Sequence, residues 1–348
     1  MQNPIYLPIL RGKKGEYDAL KELDVDLKSK SLPLIEIPNI AWDFVKERPA
    51  TTTIKQIESS VKSIIKSWDK DYQLLIDASL LEEDGTGYVI NKIVSMLHQE
   101  GFSPIPVLRV GMDDNYVSGL ARKDCICIRI CSQDLEDFDV NTEIERIKSI
   151  LNIGYENIYI LLDMGAVDEK NIQMAQYFSS NFINSIRNIE KYLDVFLSLT
   201  SFPVNLSSCA SNSTSTIKRV ETLLHAHLHS ISEKLAIVPK FSDYCVSNPD
   251  IEEIDPRLMS MGAAIRYTTK DYWYIFKGGA VKKYGFEQYY DLSENLVNSP
   301  VYSGQDFSWG DKQIYEKATS RKGSGNATTW RQIATNHHIT FMIKILSN

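Results

Sequence analysis

Short apolar runs rich in β-branched residues recur at 5–10, 32–37, 73–77, 105–110, 125–131, 158–163, 194–199 and 235–240. Between them, apolar positions return with the period of a helix, which predicts helices over 15–23, 53–66, 88–99, 114–121, 142–151, 171–189 and 214–233. The runs are continuously apolar rather than alternating, so both faces are expected to be buried, as in a parallel sheet wrapped by helices. Eight such β/α steps over about 245 residues match the size of a closed (β/α)8 TIM-like barrel. A doubly wound open sheet shows the same alternation and is the alternative. The fifth run bears on the choice, because Ile126, Ile128 and Ile130 share one face while Cys125, Cys127, Arg129 and Cys131 share the other. Branched isoleucines suit the helix-covered outside and small cysteines suit a crowded interior, which favours the barrel.

Beyond about residue 250 the pattern changes. Residues 1–250 are expected to form the barrel domain, and 251–348 an appended C-terminal α+β region packed on it. Within that region 265–267 and 272–276 read as paired strands, and Gly278-Gly279 reads as a turn before 280–283. A helix is expected over 286–297, and 317–329 reads as a polar loop. Ile339, Phe341, Ile343 and Ile345 alternate with Thr340, Met342 and Lys344, predicting a half-buried closing strand.

Composition narrows the class. The chain has 348 residues, 43% of them hydrophobic, with 45 acids against 38 bases and a net charge of −7. Such a chain can bury a large core, which excludes disorder and a disulfide-stapled miniprotein. The acid excess argues against sequence-indifferent nucleic-acid binding over the whole surface. No apolar run is long enough to span a membrane, and Met1-Gln2-Asn3-Pro4 lacks the basic start of a secretory signal. An odd set of five scattered cysteines fits a reducing, cytoplasmic setting.

Charge collects where the predicted strands end. The first strand runs into Arg11 and Lys13, the second ends with Glu36, the third with Asp77 and the fourth with Arg109. Arg129 lies on the fifth, Asp163 ends the sixth, Ser198 and Thr200 lie on the seventh, and Lys240 ends the eighth before Ser242, Asp243 and Tyr244. A charge at the end of a buried strand is costly unless paired or solvated, and barrel sites lie at the C-terminal ends of strands. Glu36 would neighbour Asp77, and Arg109 would neighbour Arg129. Paired carboxylates can share a proton or hold Mg²⁺, and paired arginines form a fork for phosphate. The same three acids and three bases (Arg109, Arg129 and Lys240) could equally pair as an inert network.

Other signals are weaker. Glu221, His225 and His229 recur every four residues as for metal ligands, but without an HExxH pattern, and a solvated flank is the simpler reading. Cys125, Cys127 and Cys131 lack the paired loops of a zinc site, so no resident metal set is assigned. From Asp311 to Asn348 six bases stand against two acids, interleaved with Trp330 and His337-His338. That mixture suits either nucleotide or single-strand binding, or a loop anchored by tryptophan.

The segments YLPILRGKKGEYDAL, PLIEIP, RVG, LDMG, LTSFP and TTWRQIATNHHIT together resemble the phage and prophage beta-protein family, over nearly the whole chain. The resemblance implies a component of an anti-phage defence cassette, with no established catalytic activity and therefore no catalytic residue to carry over. The candidate ligand-binding residues are Arg11, Lys13, Glu36, Asp77, Arg109, Arg129, Asp163, Lys240, Arg331, His337 and His338. The expected ligand is phosphorylated or nucleotide-like, with Mg²⁺ as the candidate cation. The competing expectation is a non-catalytic module that senses a phage product or restrains a partner toxin.

Overall fold

The computed structural model describes residues 3–82, 85–250 and 261–347. Eight parallel strands close into a barrel: β1 (Tyr6–Leu10), β2 (Leu34–Glu36), β3 (Leu75–Asp77), β4 (Ile105–Arg109), β5 (Ile126–Cys131), β6 (Ile158–Ala166), β7 (Asp194–Thr200) and β9 (Lys240–Asp243). Each pairs in parallel with the next around the ring, and β9 closes onto β1 through Tyr6↔Phe241 and Leu7↔Ser242. The open-sheet alternative is thereby excluded.

Side chains alternate across this wall as the cysteine-isoleucine strand required. Leu7, Ile9, Leu34, Val107, Cys127, Leu161 and Phe196 fill the interior. Ile126, Ile128 and Ile130 face outward with the helices. These are α1 (Lys14–Lys21), α2 (Thr53–Ser67), α3 (Tyr88–Gln99), α4 (Asp114–Ser118), α5 (Val140–Leu151), α6 (Ile172–Ser185) and α7 (Val220–Ser230). Their apolar stripes, such as Ile57, Val61 and Ile64 of α2, join the same outer core.

A second unit is built on a three-stranded antiparallel sheet. It orders β8 (Ser213–Lys218), β11 (Tyr272–Ala280) and β10 (Gly262–Thr268), covered by α8 (Gln288–Val297) and α9 (Trp309–Ser320). The boundary expected at 250/251 abuts 251–260, outside the described residues. The chain ends in α10 (Ala327–Leu346), which bridges both units. Trp330 and Ile333 belong to the small-sheet core, whereas Ile339, Met342 and Ile343 join the barrel's outer core. This half of α10 takes the place that a helix following the last strand would take in an uninterrupted β/α barrel. Close approach to α1 needs a glycine, since a Cβ on Gly15 would stand 2.6 Å from the Thr328 carbonyl oxygen.

Five expectations are corrected. The alternating 339–345 segment is helix, not strand: Ile339, Met342 and Ile343 recur at helical spacing against the barrel, Thr340 is buried beside them, and Lys344 is exposed. The polar loop narrows to 321–326, since 317–320 complete α9 and Asn326 caps α10 by accepting from the Thr328 and Thr329 amides. Residues 214–218 form strand β8, whose β-branched Thr214, Thr216 and Ile217 suit a sheet, and the helix begins only at Val220. Gly278-Gly279 lies inside β11 rather than in a turn. Finally, the eighth barrel strand starts at Lys240 instead of ending there.

Candidate functional site

The C-terminal rim of the barrel carries a layer of inward-facing charge. Glu36 pairs in register with Asp77, Arg109 with Arg129, and Asp163 with Ser198. The guanidinium of Arg129 occupies the centre. Its Nη1 donates to Glu36 Oε1 and Asp77 Oδ2, both at 2.8 Å. Its Nε donates to Asp163 Oδ2 at 2.8 Å, and Nη2 donates to Asp163 Oδ2 and to the Tyr244 hydroxyl at 2.6 Å. All five N–H donors are used. Tyr244 in turn donates its hydroxyl hydrogen bond to Asp163 Oδ2 at 2.6 Å. Arg11 Nη1 reaches Glu36 Oε2 at 2.5 Å, and Arg109 Nη2 reaches Asp77 Oδ2 at 3.0 Å. The backbone opens for this layer at Gly12, where a φ of +62°, and the 2.6 Å at which a Cβ would stand from the Glu36 carbonyl oxygen, exclude a larger residue.

Three acids and three bases therefore balance, with Arg11 in the place expected for Lys240. Each of the six carboxylate oxygens has a donor: Asp77 Oδ1 accepts from Ser79, and Asp163 Oδ1 from the Gly165 amide. The ring thus offers Mg²⁺ no free carboxylate oxygen, and its donor set does not fit that ion. Burial alone would raise the Asp77 carboxyl, but Arg109 and Arg129 beside it hold it well below the ordinary carboxylate range. Burial pushes the Cys131 thiol up to about 11 although Arg109 Nη1 lies 3.0 Å away, so it is no thiolate nucleophile at neutral pH.

The remaining sequence candidates lie elsewhere. Lys240 sits at the opposite end of the barrel, bonded to Asp194, Asn3 and the Pro4 carbonyl. Lys13 is exposed at the start of α1. Arg331 on α10 donates to Ser247 at 2.8 Å and pairs with Glu16 at 3.4 Å, just beyond the end of β9. His337 and His338 are fully buried outside the barrel wall. His337 meets Asp311 at 2.7 Å and stacks on Tyr267. Trp330 is core, stacked on Tyr289 with ring centres 4.2 Å apart, not a platform for bases.

His338 belongs to a second cluster that sequence reasoning missed. Its Nε2 lies 3.0–3.1 Å from both Asp243 oxygens and 3.1 Å from the Tyr6 hydroxyl. Arg219 faces Asp243 at 3.4 Å and Glu221 at 2.8 Å, with all three residues buried. Glu221 therefore does not join His225 and His229, which instead face each other with Nε2 atoms 3.3 Å apart. Tyr6 on β1 faces outward beside inward-pointing Leu7, and Cys245, just past the end of β9, joins the outer core while Tyr244 points inward. That alternation was the available signal.

The architecture defines a class: a parallel β/α barrel whose mouth is lined by a neutral, hydrogen-bonded charge ring, with a second unit spliced in before its last helix. The chain belongs to the Beta protein family, whose model matches residues 6–344. It is also similar to Protein beta of Enterobacteria phage P4, at 22% identity over 365 aligned residues covering 99% of this chain and 94% of that protein. Among the described residues no helix is long and apolar enough to cross a membrane.

Proposed function

We propose that this chain is a component of anti-phage defence whose barrel mouth binds a small anionic ligand, phosphorylated or nucleotide-like, without carrying out chemistry on it. One observation carries the reading. Arg129 is saturated, but Arg11 Nε, Arg109 Nε and Ser198 Oγ are buried at the same rim with no partner. A buried donor left unmade costs about 1–3 kcal/mol, so three in one layer call for acceptor oxygens. Two guanidinium groups and a hydroxyl suit phosphate. The carboxylates, all of which are committed, and the protonated Cys131 thiol support a binding role. The defence role rests on the family alone.

The test is thermal shift and calorimetry against nucleotides and sugar phosphates, with and without Mg²⁺, followed by phage challenge. A stabilising ligand whose affinity falls at least about tenfold in Arg109→Gln is expected, from the loss of a charge-assisted contact. A protein indifferent to the whole panel, with an Arg109→Gln variant equally protective against phage, would refute the reading.

A second reading, a protein-interaction module that senses a phage product or restrains a toxin, has its own observation. Met174 and Tyr177 on α6 are 72% and 75% exposed, one turn apart. Co-purification from infected cells separates the two. A partner lost in Met174→Ser/Tyr177→Ser but retained in Arg109→Gln favours the module.

A further inference from the structure

Beside the barrel seam, four donor atoms converge from parts of the chain that are far apart in sequence. Asp243 Oδ1 lies 2.6 Å from the Tyr6 hydroxyl and 3.1 Å from His338 Nε2. The Tyr6 hydroxyl lies 3.1 Å from His338 Nε2 and 3.6 Å from Cys245 Sγ. Donor atoms of Asp243, Cys245 and His338 all fall within 4.8 Å of one another, and the three residues are buried. Ligands held about 2.0–2.3 Å from a tetrahedral zinc stand about 3.2–3.8 Å from each other, close to most of these separations. We propose that Asp243, Cys245, His338 and Tyr6 form a structural zinc site that staples the last helix to the closing seam of the barrel.

The surroundings fit that assignment. A metal-bound histidine usually has its other ring nitrogen fixed by a hydrogen bond, and His338 Nδ1 lies 2.9 Å from Thr268 Oγ1. Trp273 stacks on the imidazole with ring centres 5.0 Å apart, holding its plane. Arg219 Nη2 orients Asp243 Oδ2, while its own Nε is committed to Glu221. Asp243 and Glu221 against Arg219 leave one buried negative charge, which a divalent cation and a Cys245 thiolate together neutralise. On binding, the thiol proton passes to solvent. Cys245 also has a φ of +51°, a region that a non-glycine residue enters only under local constraint, and this turn places its thiol beside Asp243. A mixed thiolate, imidazole and oxygen set selects zinc over Mg²⁺ or Ca²⁺. The metal would join β1, the end of β9 and α10, so it would enter as the barrel closes during folding rather than through an open mouth.

The full chain, purified without chelators from zinc-supplemented cells, is expected to hold about one zinc per molecule by mass spectrometry. Refolding with Co²⁺ should give a near-ultraviolet thiolate-to-metal band. Cys245→Ser should lose that band, and His338→Gln should lose most of the metal. Cys209→Ser and His225→Ala/His229→Ala should keep both signals. Chelator-stripped, refolded protein should melt several degrees lower and recover when zinc is added. Wild-type protein refolded in zinc that holds no more metal than His338→Gln overturns the site. So does metal that survives both ligand variants and disappears with the His225/His229 pair.

Discussion

The two buried polar clusters lie on opposite faces of the same barrel wall, and they solve the same problem differently. Inside the mouth, Arg129 satisfies three carboxylates and a tyrosine with its five donors, and every partner comes from a strand end. Outside, Arg219, Glu221, Asp243, Tyr6 and His338 come from the two ends of the chain and its middle, and they lie under α10. The inner ring is a repeated solution: one charge from each of six of the eight strands or their ends, aimed to the axis, summing to neutrality. The outer cluster is a fastening, whose members meet only once the chain has closed on itself. A buried charge left alone costs more than its pair gains, so each cluster stands or falls with its arginine.

The largest expected effect breaks the inner ring. Arg129→Met should destabilise the fold by about 4–5 kcal/mol in urea denaturation, because it strands Glu36, Asp77 and Asp163 together with the Tyr244 hydroxyl. Arg129→Lys should rescue little, since a point charge cannot reach all these directions. Loss below about 1 kcal/mol in Arg129→Met would mean the ring is not the closed network described.

Arg219→Met should cost slightly less, about 3 kcal/mol, because fewer carboxylates are stranded. The location should also differ. Hydrogen exchange should speed up first along 327–346, while β4 and β5 stay protected, since the outer cluster pins a helix and the inner one pins strands. Uniform loss of protection over both units would erase the distinction.

Much of this contrast was readable beforehand. Continuous apolar runs point to the parallel barrel, and the alternation of 125–131 sorts inside from outside. Glu36, Asp77, Arg109, Arg129 and Asp163 were legible because a charge ending a buried strand has one place to go. The outer cluster was not, since Tyr6 lies in an ordinary apolar strand run and Arg219 falls inside the helix expected over 214–233. Alternation in 339–345 misled because the buried positions, Ile339, Thr340, Met342 and Ile343, follow the turn of a helix against the barrel while Lys344 faces out, and the alternation of residue types does not track that face. Lys240 misled because apolar residues 235–239 form the approach to β9 rather than the strand itself. The outer cluster does not show itself in local pattern, because it depends on which distant residues the closure brings together.

Acid should separate the clusters more gently. The folded-state Asp77 carboxyl is held below its unfolded value of about 3.9. Its contribution is therefore fully present above that value and is lost as pH falls below it toward the folded value. The urea midpoint should drop as pH falls from about 4 toward about 2. Arg109→Gln, which removes one of the two guanidinium groups facing Asp77, should flatten that slope. An unchanged slope in the variant would show that Arg129 alone sets the Asp77 carboxyl.

The smallest effect belongs to the charge that looked like a ring member. Lys240 bonds Asp194 and two groups of the N-terminal segment at the far end of the barrel, with its side chain 30% exposed. An ion pair of that kind is worth about 0–1 kcal/mol. Lys240→Met should shift the urea midpoint only within that margin and leave any anion response at the mouth untouched. Arg11→Met removes the charge that balances the ring in its stead, and should weaken both. A Lys240 variant that lost ligand binding while keeping its fold would mean the two ends of the barrel communicate. Neutrality at the mouth would then not be set by the rim residues alone.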